Sequence, residues 1–244
     1  MKFLKRLLPG LVVVTAIATV GFVLWAENAY PSSDIALQAL RSDEQVTVAQ
    51  SKAFITFQPA NFEPSTACVF YPGGRVDYRS YAAPLHQFTA QGYLVIVLPV
   101  RLNLAFFDVN AADRAISAFP HIQHWAVGGH SLGGVASALY ASRHDEMDGL
   151  ILWASYPADD ALKNSTIKVI SIYGTLDMGG MDVFENSRAL LPINTQYIMI
   201  EGGNHAQFGD DGFQPGDNEA TIMRADQQQQ TVDATILFLE SSSQ

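Results

Sequence analysis

The sequence predicts an α/β domain: a mostly parallel central sheet with helices on both faces. Three observations predict it. Short apolar runs alternate with stretches of helical spacing from residue 45 onward, which is the pattern of successive βαβ units. One run, Tyr93–Leu98 (YLVIVL), is apolar throughout, as a strand buried on both faces must be. The residues able to do chemistry stand just after strand-like runs, where open α/β sheets bind their ligands. A length of 244 residues suits one such domain plus a small appendage, and 48 % apolar content is enough for a core.

The appendage comes first in the chain. Leu7 to Trp25 is nineteen residues without a charge, long enough as a helix to span about 28 Å, close to the roughly 30 Å hydrocarbon thickness of a bilayer. Residues 1–26 hold Lys2, Lys5 and Arg6 and no acid. Against a net charge of −10 overall, that leaves −13 on the remaining 218 residues. The expectation is an N-terminal hydrophobic helix over 1–26 acting as a signal anchor, a membrane contact through residues 7–25. Its basic start would stay cytoplasmic and the domain would be extracytoplasmic. The alternatives are a buried soluble helix and a cleaved signal peptide with a secreted domain. The long run and the poor cleavage site at Leu24-Trp25-Ala26 count against cleavage. Residues 27–44 read as a spacer and 45–244 as the domain. The acidic balance argues against nucleic acid, which needs clustered Lys and Arg.

Within the domain, strands are expected at Val46–Ala49, Ala53–Gln58, Thr66–Tyr71, Tyr93–Leu98, His124–Val127, Leu150–Ala154, Ile167–Tyr173 and Gln196–Glu201. Helices are expected at Tyr78–Gln91, Val109–Phe119, Leu132–Ser142, Met181–Leu191 and Glu219–Glu240. The Gln227–Gln230 run reads as an exposed face of the last helix. Tyr156 to Thr166 is only eleven residues, too short for a large lid, so the site should be open. That suits short acyl groups, or a bulky substrate presented at a surface.

The strongest chemical signal is Gly129-His130-Ser131-Leu132-Gly133. A serine on a tight strand-to-helix turn is held exposed, and the flanking glycines avoid clashes with the adjoining elements. A hydroxyl needs a base to become a nucleophile. Asp177 and His205 follow in the order acid then base, each just past a strand-like run, at gaps of 46 and 28 residues. Asp182 is a rival acid. The intermediate of acyl transfer needs two oxyanion donors: the N–H of Leu132, after the nucleophile, and an N–H from Pro72-Gly73-Gly74-Arg75, with Gly74 first and Gly73 second. Arg75 could draw an anionic substrate group; a solvated arginine, or one paired with Asp77, is the plainer reading. His130 reads as positional beside the nucleophile. His86, His121, His124 and His144 read as surface or capping residues.

FYPGGRVDYRSYAAPL, GGHSLGG, SIYGTLD and EGGNHAQFGDDGFQPGDN together resemble the α/β-hydrolase superfamily, in its compact bacterial branch related to dienelactone hydrolases. The resemblance covers roughly residues 50–240. It implies an eight-stranded α/β-hydrolase fold and a triad of Ser131, Asp177 and His205. Dienelactone hydrolases themselves use a cysteine nucleophile where this chain has serine. That favours an ordinary ester or related acyl substrate. The expected activity is therefore a carboxylesterase-type serine hydrolase. A thioesterase, amidase or acyltransferase with the same triad is the alternative, as is a catalytically silent binding protein on the same scaffold. No cofactor is implied. Cys68, the single cysteine, reads as core. Gly209–Glu219 lacks the ligand spacing of a calcium loop and reads as an ordered loop beside His205, so no metal is expected. Asn164-Ser165-Thr166 is a glycosylation sequon with meaning only in a eukaryotic secretory pathway.

Overall fold

A computed structural model describes residues 4–242, with side chains from 11 to 241. The charge-bearing Lys2 lies outside it, as do the side chains of Lys5 and Arg6. Helix α1 (Leu4–Glu27) leads into a short α2 (Asp34–Ala39) capped by the Ser33 hydroxyl. Eight strands follow: β1 (Val46–Gln50), β2 (Ile55–Pro59), β3 (Thr66–Tyr71), β4 (Leu94–Val97), β5 (His124–His130), β6 (Gly149–Trp153), β7 (Lys168–Gly174) and β8 (Gln196–Ile200). Interleaved with them are α3 (Ala82–Thr89), α4 (Ala112–Ala118), α5 (Leu132–Ala141) and α6 (Met181–Ser187), and α7 (Arg224–Ser242) closes the fold.

The strands form one sheet in the order β1-β2-β4-β3-β5-β6-β7-β8. The β1–β2 and β2–β4 pairs are antiparallel and the rest parallel. Apolar side chains alternate between two cores, one on each face. Cys68 and Phe70 of β3 point to the face that holds Leu85 and Phe88 of α3 and Val232 and Phe238 of α7. Ala67, Val69 and Tyr71 point to the face of Ala112 and Ala115 of α4 and Ala136 and Tyr140 of α5. This is why the inner strands read as unbroken apolar runs. Burial pushes the Cys68 thiol up to about 12, so it stays a neutral core group.

The expected elements are present with shifted ends, β5 for instance running on to His130, and two differences matter. The last helix begins at Arg224 instead of Glu219, because residues before it pack as loop: Thr221 N–H bonds to Gly202 O and Asn204 Nδ2 to Asn218 O. Only half of the Gln227–Gln230 run is an exposed face, Gln229 and Gln230. Gln227 and Gln228 are buried, and both amide atoms of Gln227 bond the backbone of Asn204.

Residues 26–40 lie on the domain. Ala26 and Ala36 are fully buried, Tyr30 forms a parallel bridge with Val76, and Ser33 N–H bonds to Asp210 O. Among the described residues, no helix is long and apolar enough to cross a membrane. The expected span, 7–25, starts on residues 7–10, whose side chains lie outside the described part. Between β6 and β7 the chain runs in turns with no helix, so no helical segment from this connection covers the ends of the strands.

Candidate active site

The turn from β5 into α5 is dictated by glycine. A Cβ on Gly133 would lie 2.2 Å from Tyr71 O and 2.4 Å from Pro72 O, and one on Gly129 would lie 2.5 Å from the Gly133 carbonyl carbon. With no Cβ at either position, the strand meets the helix at van der Waals distance. Ser131 at the apex takes φ 52° and ψ −123°, a conformation that strains any residue with a side chain. Four bonds hold it there: Ser131 N–H to Trp153 O, and the Ser155 hydroxyl, Gly134 N–H and Val135 N–H to Ser131 O. The strain is thus paid for by packing on both sides.

Asp177 follows β7 and His205 follows β8. Both are buried, and His205 Nδ1 lies 2.9 Å from Asp177 Oδ2. The acid's other oxygen accepts Gly179 N–H at 2.9 Å. A carboxylate accepts and does not donate, so Nδ1–H is the donor in this contact. Asp182, the rival acid, is an exposed residue in the first turn of α6. The loop after β3 runs beside the serine turn: a Cβ on Gly74 would lie 3.0 Å from Leu132 Cδ2. The amides flanking Gly74 are engaged, Gly73 N–H with the Tyr81 hydroxyl and Arg75 N–H with Asn103 O. This ranks Gly74 above Gly73 as a donor to substrate.

The sequence profile described as the Alpha/beta hydrolase family matches residues 67–230, which run from β3 into α7 and contain the serine turn, Asp177 and His205. The chain belongs to the α/β-hydrolase family. Two solved structures share the fold at low identity. Est1E from Butyrivibrio proteoclasticus is 10 % identical with a TM-score of 0.58, over 80 % of this chain and 99 % of that one. TT1662 from Thermus thermophilus is 13 % identical with a TM-score of 0.59, over 81 % and 98 %. No curated protein sequence matches significantly.

In this α/β-hydrolase the residue before the serine does more than fill its position. His130 is fully buried, with Nδ1 2.8 Å from the Tyr81 hydroxyl and Nε2 3.1 Å from His205 O. The carbonyl is acceptor-only, so Nε2 carries the proton and Nδ1 accepts from Tyr81. Burial, then the neighbouring His205, pushes the His130 pKa well below its ordinary value and keeps the ring neutral. One chain of bonds thus runs Gly73–Tyr81–His130–His205 and joins the loop after β3 to the loop that carries His205. Tyr81→Phe leaves the Gly73 N–H and His130 Nδ1 without partners in a buried place. It is expected to cost about 2–5 kcal/mol, read by thermal or denaturant unfolding; a change under about 0.5 kcal/mol would show that the bridge carries no stability.

The loop that carries His205 has two further supports. The Asp217 carboxylate accepts His205 N–H and Ala206 N–H, and Gln227 grips Asn204 as described above. Neither Tyr81, Asp217 nor Gln227 stands out in the sequence, because each partner is distant along the chain. Arg75 does not pair with Asp77, whose carboxylate binds Arg79. Its guanidinium instead lies 4.5 Å from the Trp25 ring centroid and donates to Asn28 O. The other histidines lie elsewhere: His86 near Asp43, His124 near Asp148, His144 against Tyr140, and His121 exposed beside Phe119.

Asp211, two residues past Gly209 in the same loop, is buried with Oδ1 unpartnered and Oδ2 held by Gln214. Burial pushes its pKa up to about 6. The neutral acid fits this place better than the carboxylate, so its contribution is favourable below about pH 4 and is lost as pH rises through 6. Asp211→Asn is expected to stabilise the protein above pH 6 by up to about 3 kcal/mol and to have little effect at pH 4. Melting curves of both proteins from pH 4 to 8 measure this, and a gain independent of pH would contradict it.

Proposed function

We propose that the protein is a serine hydrolase that cleaves a carboxylic ester through an acyl-enzyme. The observation that carries this is the 2.9 Å contact of His205 Nδ1 with Asp177 Oδ2, together with the 3.1 Å contact of His205 O with His130, the residue before a serine held at positive φ. In this reading His205 Nε2 takes the Ser131 proton as Oγ attacks the acyl carbonyl carbon. The carbonyl oxygen becomes an oxyanion bound by the N–H groups of Leu132 and Gly74. The tetrahedral intermediate collapses, the C–O bond to the alcohol breaks, and the imidazolium returns its proton to the departing alkoxide. Asp177 holds the ring in the required tautomer and stabilises its charged form. Water, deprotonated by His205, then attacks the acyl-enzyme and releases the acid. The helix dipole of α5, starting at Leu132, favours the negative charge.

The turn-only connection between β6 and β7 supports an open site and a substrate of short acyl length or one presented at a surface. A membrane association through residues 7–25, with the domain extracytoplasmic, belongs to the same proposal and rests on the sequence pattern of a basic start and an uncharged run. Fluorophosphonate treatment of the folded protein, with the labelled residue mapped by mass spectrometry, tests the chemistry. Labelling at Ser131 supports it. A well-folded protein that takes no label points to a silent binding scaffold.

A further inference from the structure

We propose that the rim of the catalytic site and helix α1 form one lipid-binding surface, so that the substrate is an amphiphilic ester drawn from a bilayer. The substrate class rests on the serine-hydrolase reading above; the surface does not. Leu11, Val12, Val13 and Val14 of α1 are each more than half exposed, as are Ile17, Val20 and Leu24. At 3.6 residues per turn, four consecutive positions cover the whole circumference. A protein groove covers one face of an amphipathic helix; an apolar helix exposed all round needs an apolar medium. The basic residues in its first turn, Lys5 and Arg6, suit anionic headgroups, and its one acid, Glu27, stands at the opposite end. Trp25 stands at its other end, half exposed, where an amphipathic ring sits at a lipid–water boundary. The described apolar stretch, Leu11 to Trp25, spans about 22 Å. The proposal needs contact with hydrocarbon, not a crossing.

The root of α1 is fixed to the site. Ala26 O accepts Asn103 Nδ2 at 3.1 Å, and Asn103 O accepts Arg75 N–H at 2.7 Å, next to Gly74. The Phe22 and Phe107 rings meet edge to face at 6.0 Å. Phe106 and Phe107 are about half exposed. Leu104 Cδ2 lies 3.7 Å from where a Gly74 Cβ would be. An apolar path therefore runs from α1 through Phe107 and Leu104 to the oxyanion loop. Backbone strain is concentrated here too: Leu102 and Asn103 have φ of 55° and 51°, held by the bonds just named. A helix seated in lipid would bring this path, and the mouth with it, against the same lipid.

The test is quenching of tryptophan fluorescence by brominated phosphatidylcholine and phosphatidylglycerol vesicles, on the full chain. Trp125 and Trp153 are buried, so Trp25 is the exposed native probe. In a Trp25→Phe background, Phe107→Trp places a probe on the rim, with Phe106→Trp as the second variant if the first does not fold. Phe62→Trp places one at the far end, where Phe62 is exposed beside Gly92, in the turn that precedes β4. The expected result is strong quenching of Trp25 in the wild type, at least two-fold quenching of the added rim probe, and none at position 62. Quenching of Trp25 alone would overturn the proposal, because the helix would then enter lipid with the mouth turned away. So would equal quenching at the rim and at position 62. No quenching anywhere, with self-association in sedimentation, would assign the surface to a second copy. Turnover of a water-soluble short ester, measured on the same protein, reports separately on the hydrolase reading. If the rim is quenched but neither that ester nor a vesicle-borne long-chain ester is turned over, the surface stands and the substrate class falls.

Discussion

Ser131→Ala is expected to lower ester turnover by about 10⁴- to 10⁶-fold and to abolish fluorophosphonate labelling, while leaving the fold intact. The fold should survive because the turn is held by backbone groups and neighbours. Ser131 N–H, Ser131 O and the Ser155 hydroxyl make the restraining bonds, and none uses Oγ. Alanine at φ 52° carries the same Cβ strain as serine, so stability should change by less than about 1 kcal/mol. The loss in rate should be large because, in the proposed mechanism, Asp177 and His205 act only through the nucleophile. Removing one member of such a unit forfeits nearly all that the unit supplies. Steady-state rates and melting curves of the two proteins decide this. Turnover within ten-fold of wild type would remove Ser131 from the mechanism, whatever the geometry of the Asp177–His205 pair.

The candidate site was legible in the sequence where its signals are local. Gly129 and Gly133 announce the turn because each must lack a Cβ against a backbone neighbour. Asp177 and His205 announce themselves by following strands that the apolar pattern already marks. The parallel sheet was legible for the same reason, since YLVIVL allows no polar face. The supports of the site were not legible, because they depend on which distant segments meet. Tyr81 reaches His130 across 49 residues, and Gln227 reaches Asn204 across 23. Gln227 reads as a surface residue in a polar run; the rotation of α7 on its axis decides otherwise, and that is set by Val232, Phe238 and Leu239 entering the core. Arg75 illustrates the same limit. Its natural sequence neighbour, Asp77, is claimed by Arg79 at 2.5 Å, and its partners, Trp25, Asn28 and Tyr30, lie at the end of α1 and just beyond it. Short-range charge pairing is a weak force at a surface, and the aromatic rings offer the guanidinium a better-shaped contact.

Gly174→Ala is expected to destabilise the protein by about 4 kcal/mol, lowering the melting temperature by roughly 10 °C, and to reduce turnover in the fraction that folds. Gly174 ends β7, and a Cβ there would lie 2.2 Å from Gly203 O and 2.3 Å from Gly203 C. These are backbone atoms of the loop that carries His205, so relief requires the Asp177 loop and the His205 loop to move apart. They are tied at three points: Thr175 N–H to Ile200 O, Leu176 N–H to Gly203 O, and Gly202 N–H to the Thr175 hydroxyl. Displacement by an ångström loosens all three and lengthens the 2.9 Å contact between Asp177 and His205, and misplacement on that scale costs about 10²-fold in rate. Gly149→Ala is the informative comparison. Gly149 starts the adjacent strand β6, and its nearest neighbour is the Phe238 ring at 3.3 Å, a side chain that gives by a few tenths of an ångström. It should cost far less, under about 1.5 kcal/mol, and leave the rate unchanged. If the two substitutions prove equally mild, the Asp177 and His205 loops yield more easily than their backbone contacts imply, and the geometry of the pair is then set by the Tyr81–His130 bridge and the Asp217 clamp on the His205 loop.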